Sequence, residues 1–214
     1  MKIVVISPPS RTKGEPETVT EMFKLGLMHF HLKKPGFEEE NIIDYLDRIP
    51  SEYHPRIVLH NHYSLVSKYN VAGIHLNKKS KKPGWYQQLR LAYLRYRRKD
   101  LKVTASYSKL ASLYFDPPLY EYAFLSPIFE SLSEGKYHPA FKERGLMEAL
   151  QKTRNPIIAY GGVEMDKIEK VVDLGFQGMA LLGVIWNDSH PLLAYQEILE
   201  KVKVHQAKIA ANGD

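Results

Sequence analysis

Eight times along its 214 residues, this chain follows a short β-branched or apolar run with a segment of helical spacing. The strand candidates are "KIVVIS" (2–7), "LMHFHL" (27–32), "RIVLH" (56–60), "GIHL" (73–76), "LKVTAS" (101–106), "YAFLSPIF" (122–129), "PIIAYGG" (156–162) and "QGMALLGVI" (177–185). The helix candidates are "TVTEMFKLG" (18–26, stopping at Gly26), "FEEENIIDYLDRI" (37–49), "YSLVSKYN" (63–70) and a basic stretch at 86–98. They continue with "KLASLYF" (109–115), about 140–151, "EMDKIEKVVDLG" (164–175) and "PLLAYQEILEKVKVH" (191–205). Strict alternation of this kind builds a parallel sheet with helices outside it. Eight units in so short a chain predict a compact (β/α)8 TIM barrel. The competitor, a doubly wound open sheet, has fewer strands and a glycine-rich first turn, which "SPPSRTKG" does not supply. The expected organisation is one barrel domain over 1–205, with 206–214 a fraying tail.

Composition narrows the function classes. With no cysteine, neither a disulfide framework nor a Cys-based zinc site is possible. The first apolar run is too short for a signal-peptide core, and no stretch approaches the roughly 18 apolar residues of a membrane span. A cytoplasmic location and no membrane partner are therefore expected. Thirty Lys+Arg stand against 24 Asp+Glu, a net charge of +6, with much of the excess in "NKKSKKPGWYQQLRLAYLRYRRKD" (77–100). Basic residues interleaved with aromatics suit a nucleic-acid backbone, but no nucleic-acid motif accompanies them. No nucleic-acid partner is expected, because a solvated basic helix and a site for a phosphorylated small molecule explain the excess as well. A homo-oligomer is compatible with the sequence.

In a barrel the active site lies at the C-terminal ends of the strands. His31, His60, Asn61, His62, His75, Ser106, Ser126 and Gly161-Gly162 all fall there. Alternation along a strand puts His29 and His31 on one face, and His60 and His62 on one face. Such histidines could hold a metal, but a hydrolytic centre also needs a carboxylate or lysine from a later strand. Only Glu130 and Glu164 come near the required positions. Phosphate binding is the better-supported reading. "AYGGV" (159–163) and "LLGVIWN" (181–187) place Gly161, Gly162, Gly183 and Val184 in the turns after strands seven and eight. Glycines there let backbone N–H groups approach an anion at a helix start. In "LSPIFESLSEGKY" (125–137), Ser131 and Ser133 offer hydroxyls and Lys136 a charge.

These residues resemble the thiamine phosphate synthase and TenI superfamily over nearly the whole chain. "LHNH…GIHL" is similar to the family's run from "NDR" to "GVHLGQxD". "YEYAFLSPIFESLSEGK" resembles "aDYiGfGPvFpTxTK", and "NPIIAYGGVEMDKIEKVVDLGFQGMALLGVI" resembles "PvvAIGGIxxxNvxxvxxaGAdGvAVisAI". The resemblance implies a TIM barrel and a transferase that couples aminopyrimidine methyl diphosphate to thiazole phosphate, releasing diphosphate in thiamine biosynthesis. It implies a thiazole-phosphate site at Ser131, Ser133, Lys136, Gly161, Gly162, Gly183 and Val184. It places pyrimidine and diphosphate contacts at His31, Lys33, Asn61, His75 and Ser106, with Lys33 and Ser106 in the catalytic role. The family's cofactor is Mg2+, whose two carboxylate ligand positions fall here on His62 and Ser80, so the resemblance carries the cofactor with its ligands replaced. A histidine or serine is a poor substitute for carboxylate oxygen at a hard cation. Two alternatives follow. One is a TenI-like thiazole tautomerase with a relocated base, since the TenI histidine position is Ser108. The other is a non-catalytic or regulatory binder of thiazole or thiamine phosphate.

Overall fold

The computed structural model describes residues 1–76, 85–115, 120–129 and 141–212. It is a closed barrel of eight parallel strands in sequential order, the last paired with the first. The strands are β1 (Lys2–Ile6), β2 (His29–Leu32), β3 (Ile57–Leu59), β4 (Gly73–Leu76), β5 (Lys102–Tyr107), β6 (Tyr122–Leu125), β7 (Ile157–Tyr160) and β8 (Gly178–Leu181). The surrounding helices are α1 (Glu15–Lys24), α2 (Glu39–Asp47), α3 (Trp85–Arg97), α4 (Ala111–Phe115), α5 (Glu143–Lys152), α6 (Ile168–Asp173), α7 (Gly183–Trp186) and α8 (Pro191–Asn212). The barrel expected from the alternation is the observed fold.

The differences lie at element ends. Residues 183–185, expected to finish the last strand, form α7 instead. Strand β8 pairs with β1 only as far as Leu181 opposite Val5, and the Trp186 indole then donates to Ile6 O at 2.8 Å. That bond folds α7 across the end of β1. Strand β6 stops before Pro127, which has no N–H to extend a ladder. Residues 63–67 are a 3-10 turn rather than an α-helix, and a second such turn spans Ser51–Arg56. Helix α8 runs past residue 206 to Asn212. Its last turns, "QAKIAAN", are mostly good helix formers without a breaker before Gly213.

Alternation divides the strand side chains between two environments. Val5, Phe30, Leu32, Ile57, Leu59, Ile74, Val103, Ala105, Leu125, Ile157, Met179 and Leu181 face outward and are buried with the helices in one apolar core. A smaller apolar cluster of Val4, Ile6, Tyr122, Phe124, Ile158 and Ala180 fills one side of the interior. The rest of the interior is polar, with His31, His75 and Thr104 all buried.

Two glycines make room at the base of the barrel. A Cβ on Gly73 would lie 2.0 Å from Lys102 O, and one on Gly178 would lie 2.3 Å from Lys2 O. Both start a strand at a position that admits no side chain, and they share the barrel's lower end with the Tyr122 ring.

Just past the end of β2, Lys34 is withdrawn from solvent. Its ammonium donates to Pro8 O and Ser10 O, both at 2.8 Å, and to Glu15 Oε2 at 2.5 Å. Tyr45 donates to the other Glu15 oxygen at 2.8 Å. Burial pushes Glu15 up and Lys34 down from their ordinary ranges, against their mutual attraction. This cluster ties the loop after β1 to α1, α2 and the turn that carries Lys33.

Candidate active site

The strands deliver two groups of side chains to the C-terminal mouth. His60, immediately after β3, and Ser106, near the end of β5, join Ile6 and Tyr160 around a cavity of about 170 Å³. His75, Phe124 and Lys33 complete its described lining. Lys33 is held in place through its backbone. The Ser7 hydroxyl lies 2.7 Å from Lys33 N and 3.0 Å from Lys33 O, accepting from the first and donating to the second. The Lys33 ammonium then reaches over the Tyr160 ring, 5.9 Å from its centroid.

His75 is fixed from both sides. Its Nδ1 is 2.8 Å from Thr104 Oγ1 and its Nε2 is 2.9 Å from Ser106 Oγ. Ser106 therefore shares a proton line with an imidazole that a second hydroxyl orients. Tyr63 donates to His75 O at 2.5 Å, which holds the strand end as well.

His31 lies beneath the lining and is wholly buried. Its Nδ1 is 2.8 Å from His60 Nε2, and its Nε2 is 2.7 Å from the Tyr122 hydroxyl. Burial and the neighbouring imidazoles hold His31 and His60 well below the ordinary histidine pKa, so both are neutral near pH 7. Burial pushes the Tyr122 phenol up, so it keeps its proton.

One ring nitrogen from each of His31, His60 and His75 lies within 4.8 Å of the other two, which raises the question of a metal. Their orientation answers against it. The His60 and His75 rings stack at 4.1 Å with 13° between planes. An imidazole lone pair lies in the ring plane, so two stacked rings do not converge on one ion. A tetrahedral site would require rotating His75 away from Thr104 and Ser106.

Magnesium does not fit the described donors either. His62 donates its Nε2–H to Phe37 O at 2.7 Å, and its Nδ1 is 3.8 Å from the Glu39 carboxylate. It is turned into the loop before α2, and the described lining of the cavity carries no carboxylate. Ser80 lies outside the described residues, as do Ser131, Ser133 and Lys136.

The other expected site residues are placed as follows. Asn61 gives its amide N–H to Lys34 O at 3.1 Å and so braces the strand-end turn. Gly161 and Gly162 have φ of 89° and 68°, values a glycine adopts without strain. A Cβ on Gly161 would lie 3.1 Å from Ser126 Oγ and 3.2 Å from Pro127 Cα. Gly183 and Val184 open α7. Sequence reading did not single out Phe124, Tyr160, Ile6, Thr104 or Tyr122. Strand parity was the available signal, since Tyr122 and Phe124 share a face of β6 as Thr104 and Ser106 share one of β5.

The thiamine monophosphate synthase family (TMP-TENI) matches residues 3–185. The chain belongs to that family. A thiamine-phosphate synthase of Leuconostoc citreum is 31% identical over 61 residues, which is 28% of this chain and 29% of that protein. The stretch shared with such curated relatives thus spans under a third of their length. The crystal structure of thiamine phosphate pyrophosphorylase from Bacteroides thetaiotaomicron is 28% identical. It superposes with a TM-score of 0.74, covering 95% of this chain and 98% of that one. The Pyrococcus furiosus pyrophosphorylase, 17% identical with a TM-score of 0.75 over 95% and 96% of the two chains, shares the fold. Among the described residues, no helix is long and apolar enough to cross a membrane.

Proposed function

We propose that the barrel mouth binds a phosphorylated thiazole and moves a proton on it, as a tautomerase of thiazole carboxylate phosphate. The observation that carries this reading is the cavity itself. Its described lining offers two imidazoles, that of His60 kept neutral by burial, a hydroxyl in hydrogen bond with the other, and the Lys33 cation. That set suits general acid–base work on an anionic ring. A carboxylate-held magnesium diphosphate finds no counterpart in it.

In this reading the Lys33 ammonium faces the substrate carboxylate, and the thiazole ring lies against Tyr160 and Phe124. Gly161, Gly162, Gly183 and Val184 present backbone N–H groups to the phosphate, and Ser131, Ser133 and Lys136 are the further phosphate contacts that the family resemblance implies. Ser106, backed by His75, and His60 exchange protons with the ring. One proton leaves a ring carbon and another is returned elsewhere on the substrate, so the product is an isomer and no co-reactant is consumed.

A second reading, coupling of the thiazole to aminopyrimidine methyl diphosphate, is favoured by the 28% identity to the Bacteroides pyrophosphorylase across nearly both chains. One pair of assays separates them. Thiazole carboxylate phosphate is incubated with the protein in D2O and followed by NMR. In parallel, thiamine phosphate formation is measured from aminopyrimidine methyl diphosphate and thiazole phosphate with Mg2+. Isomerisation with deuterium incorporation and no coupling supports the tautomerase. Magnesium-dependent thiamine phosphate without isomerisation overturns it in favour of the synthase.

A further inference from the structure

We infer that a hydrogen-bonded line from the base of the barrel, Tyr122–His31–His60, fixes the polarity of the site by presenting His60 Nδ1 to the mouth as a donor. The buried phenol sets the order. Among the described residues, the hydrogen-bond partner of the Tyr122 hydroxyl is His31 Nε2, at 2.7 Å. A buried hydroxyl proton left without an acceptor is costly, so the proton points at His31. His31 Nε2 is then the bare nitrogen and its proton sits on Nδ1.

That proton in turn points at His60 Nε2, 2.8 Å away. His60 Nε2 accepts, and the neutral His60 carries its own hydrogen on Nδ1. His31 is wholly enclosed and exchanges no hydrogen bond with solvent. The order of donors along the line is therefore set from below rather than by the ligand. Free histidine prefers the opposite tautomer, with the proton on Nε2, so two successive Nδ1–H imidazoles are a distinctive signature.

The consequence concerns what the mouth accepts. A fixed N–H donor at His60, close to the Lys33 cation, selects a ligand group that is an acceptor, such as a carboxylate oxygen or a bare heteroaromatic nitrogen. It rejects an N–H or ammonium at that point, which would leave two donors facing each other. Tyr122, a layer below the cavity, is on this account a positioning residue. The inference deepens the tautomerase reading, but its test does not depend on that activity.

Protein labelled with 15N-histidine, full-length and folded, reports each tautomer directly in long-range 1H–15N correlation spectra at neutral pH. The expected result is Nδ1–H for both His31 and His60. Tyr122→Phe, which removes only the oxygen, should move His31 to the Nε2–H form and release His60 from a single tautomer. His31→Gln, made separately, should keep the polarity at His60, because a glutamine oxygen accepts from Tyr122 while its amide donates to His60. Isomerase turnover in Tyr122→Phe should fall about tenfold, the loss of one ordered hydrogen bond, and fall less in His31→Gln, made in the otherwise native chain. Nε2–H on His60 in the unaltered protein overturns the inference, as does an unchanged tautomer in Tyr122→Phe. The wild-type spectrum alone decides if a variant fails to fold. Correct tautomers without isomerase activity would sink the tautomerase reading and leave this one standing.

Discussion

The imidazoles of His60 and His75 lie face to face, 4.1 Å apart and 13° from parallel. They are held so by different partners, His31 for one, Thr104 and Ser106 for the other. Their stacking makes a metal-binding prediction despite three histidines in one small volume. Titration with Zn2+ or Ni2+ should leave the thermal midpoint unchanged at stoichiometric metal, because ligand-type stabilisation scales with occupancy of the native state. A rise of several degrees that disappears in His75→Ala would show that the rings reorient to hold an ion.

Acid should weaken this barrel before carboxylates are protonated. His31 and His60 sit well below 6.5, and burial with the nearby Lys2 and Lys102 lowers His29 to about 4. The unfolded chain takes up protons at these groups below about pH 6.5 while the folded chain does not, so stability rises with pH across that window. For His29 the loss runs from 6.5 down to about 4, and for the other two it continues lower. Each group contributes up to about 1.4 kcal/mol per pH unit. Urea midpoints measured from pH 7.5 to 5 should fall steeply between 6.5 and 5. A flat profile would mean that the interior accommodates the imidazolium forms.

Ser106→Ala keeps the strand and removes the hydroxyl beside His75. We expect turnover to fall about a hundredfold or more, with substrate affinity by calorimetry changed little. Lys33→Met should do the reverse, raising KM for the carboxylated substrate most.

Substituting Gly161 by alanine forces a side chain into φ of 89° and against Ser126 and Pro127. A destabilisation of about 1–3 kcal/mol is expected, together with loss of phosphate affinity, measured by denaturation and by calorimetry with thiazole phosphate. Gly162→Asp should abolish thiazole phosphate binding by placing a carboxylate where the anion would sit. Unchanged affinity in that variant would remove the glycine turn from the site.

Lys34→Met leaves Glu15 buried without its cation. Breaking one partner of such a pair costs roughly 3–5 kcal/mol, so the variant should unfold at markedly lower urea. Pairing it with Glu15→Leu should recover much of the loss.

The barrel was legible in the sequence because strand–helix alternation is a long-range pattern that survives errors at any one boundary. Boundaries failed where a tertiary bond intervened, as Trp186 does in turning residues 183–185 from strand to helix. The histidines were visible as strand-end residues, but their separate tasks were not. His31, His60 and His62 look alike in a line of letters. Only folding shows one sealed beneath the cavity, one lining it, and one turned to Phe37. In the sequence Tyr122 is simply the start of a strand, because nothing local distinguishes a phenol bonded across the barrel from one that merely fills space. Ser131, Ser133 and Lys136 lie outside the described residues and stay with the phosphate proposal.

Lys33 and Lys34 are chemically identical neighbours with opposite fates, one at the cavity and one locked against Glu15. A single-residue deletion between His31 and Lys34 would carry the structural cation into the mouth and bring Pro35 against Glu15, leaving that carboxylate buried without a partner. This short segment should therefore tolerate changes of letter far better than changes of length, and divergent relatives should keep its spacing even where its residues differ.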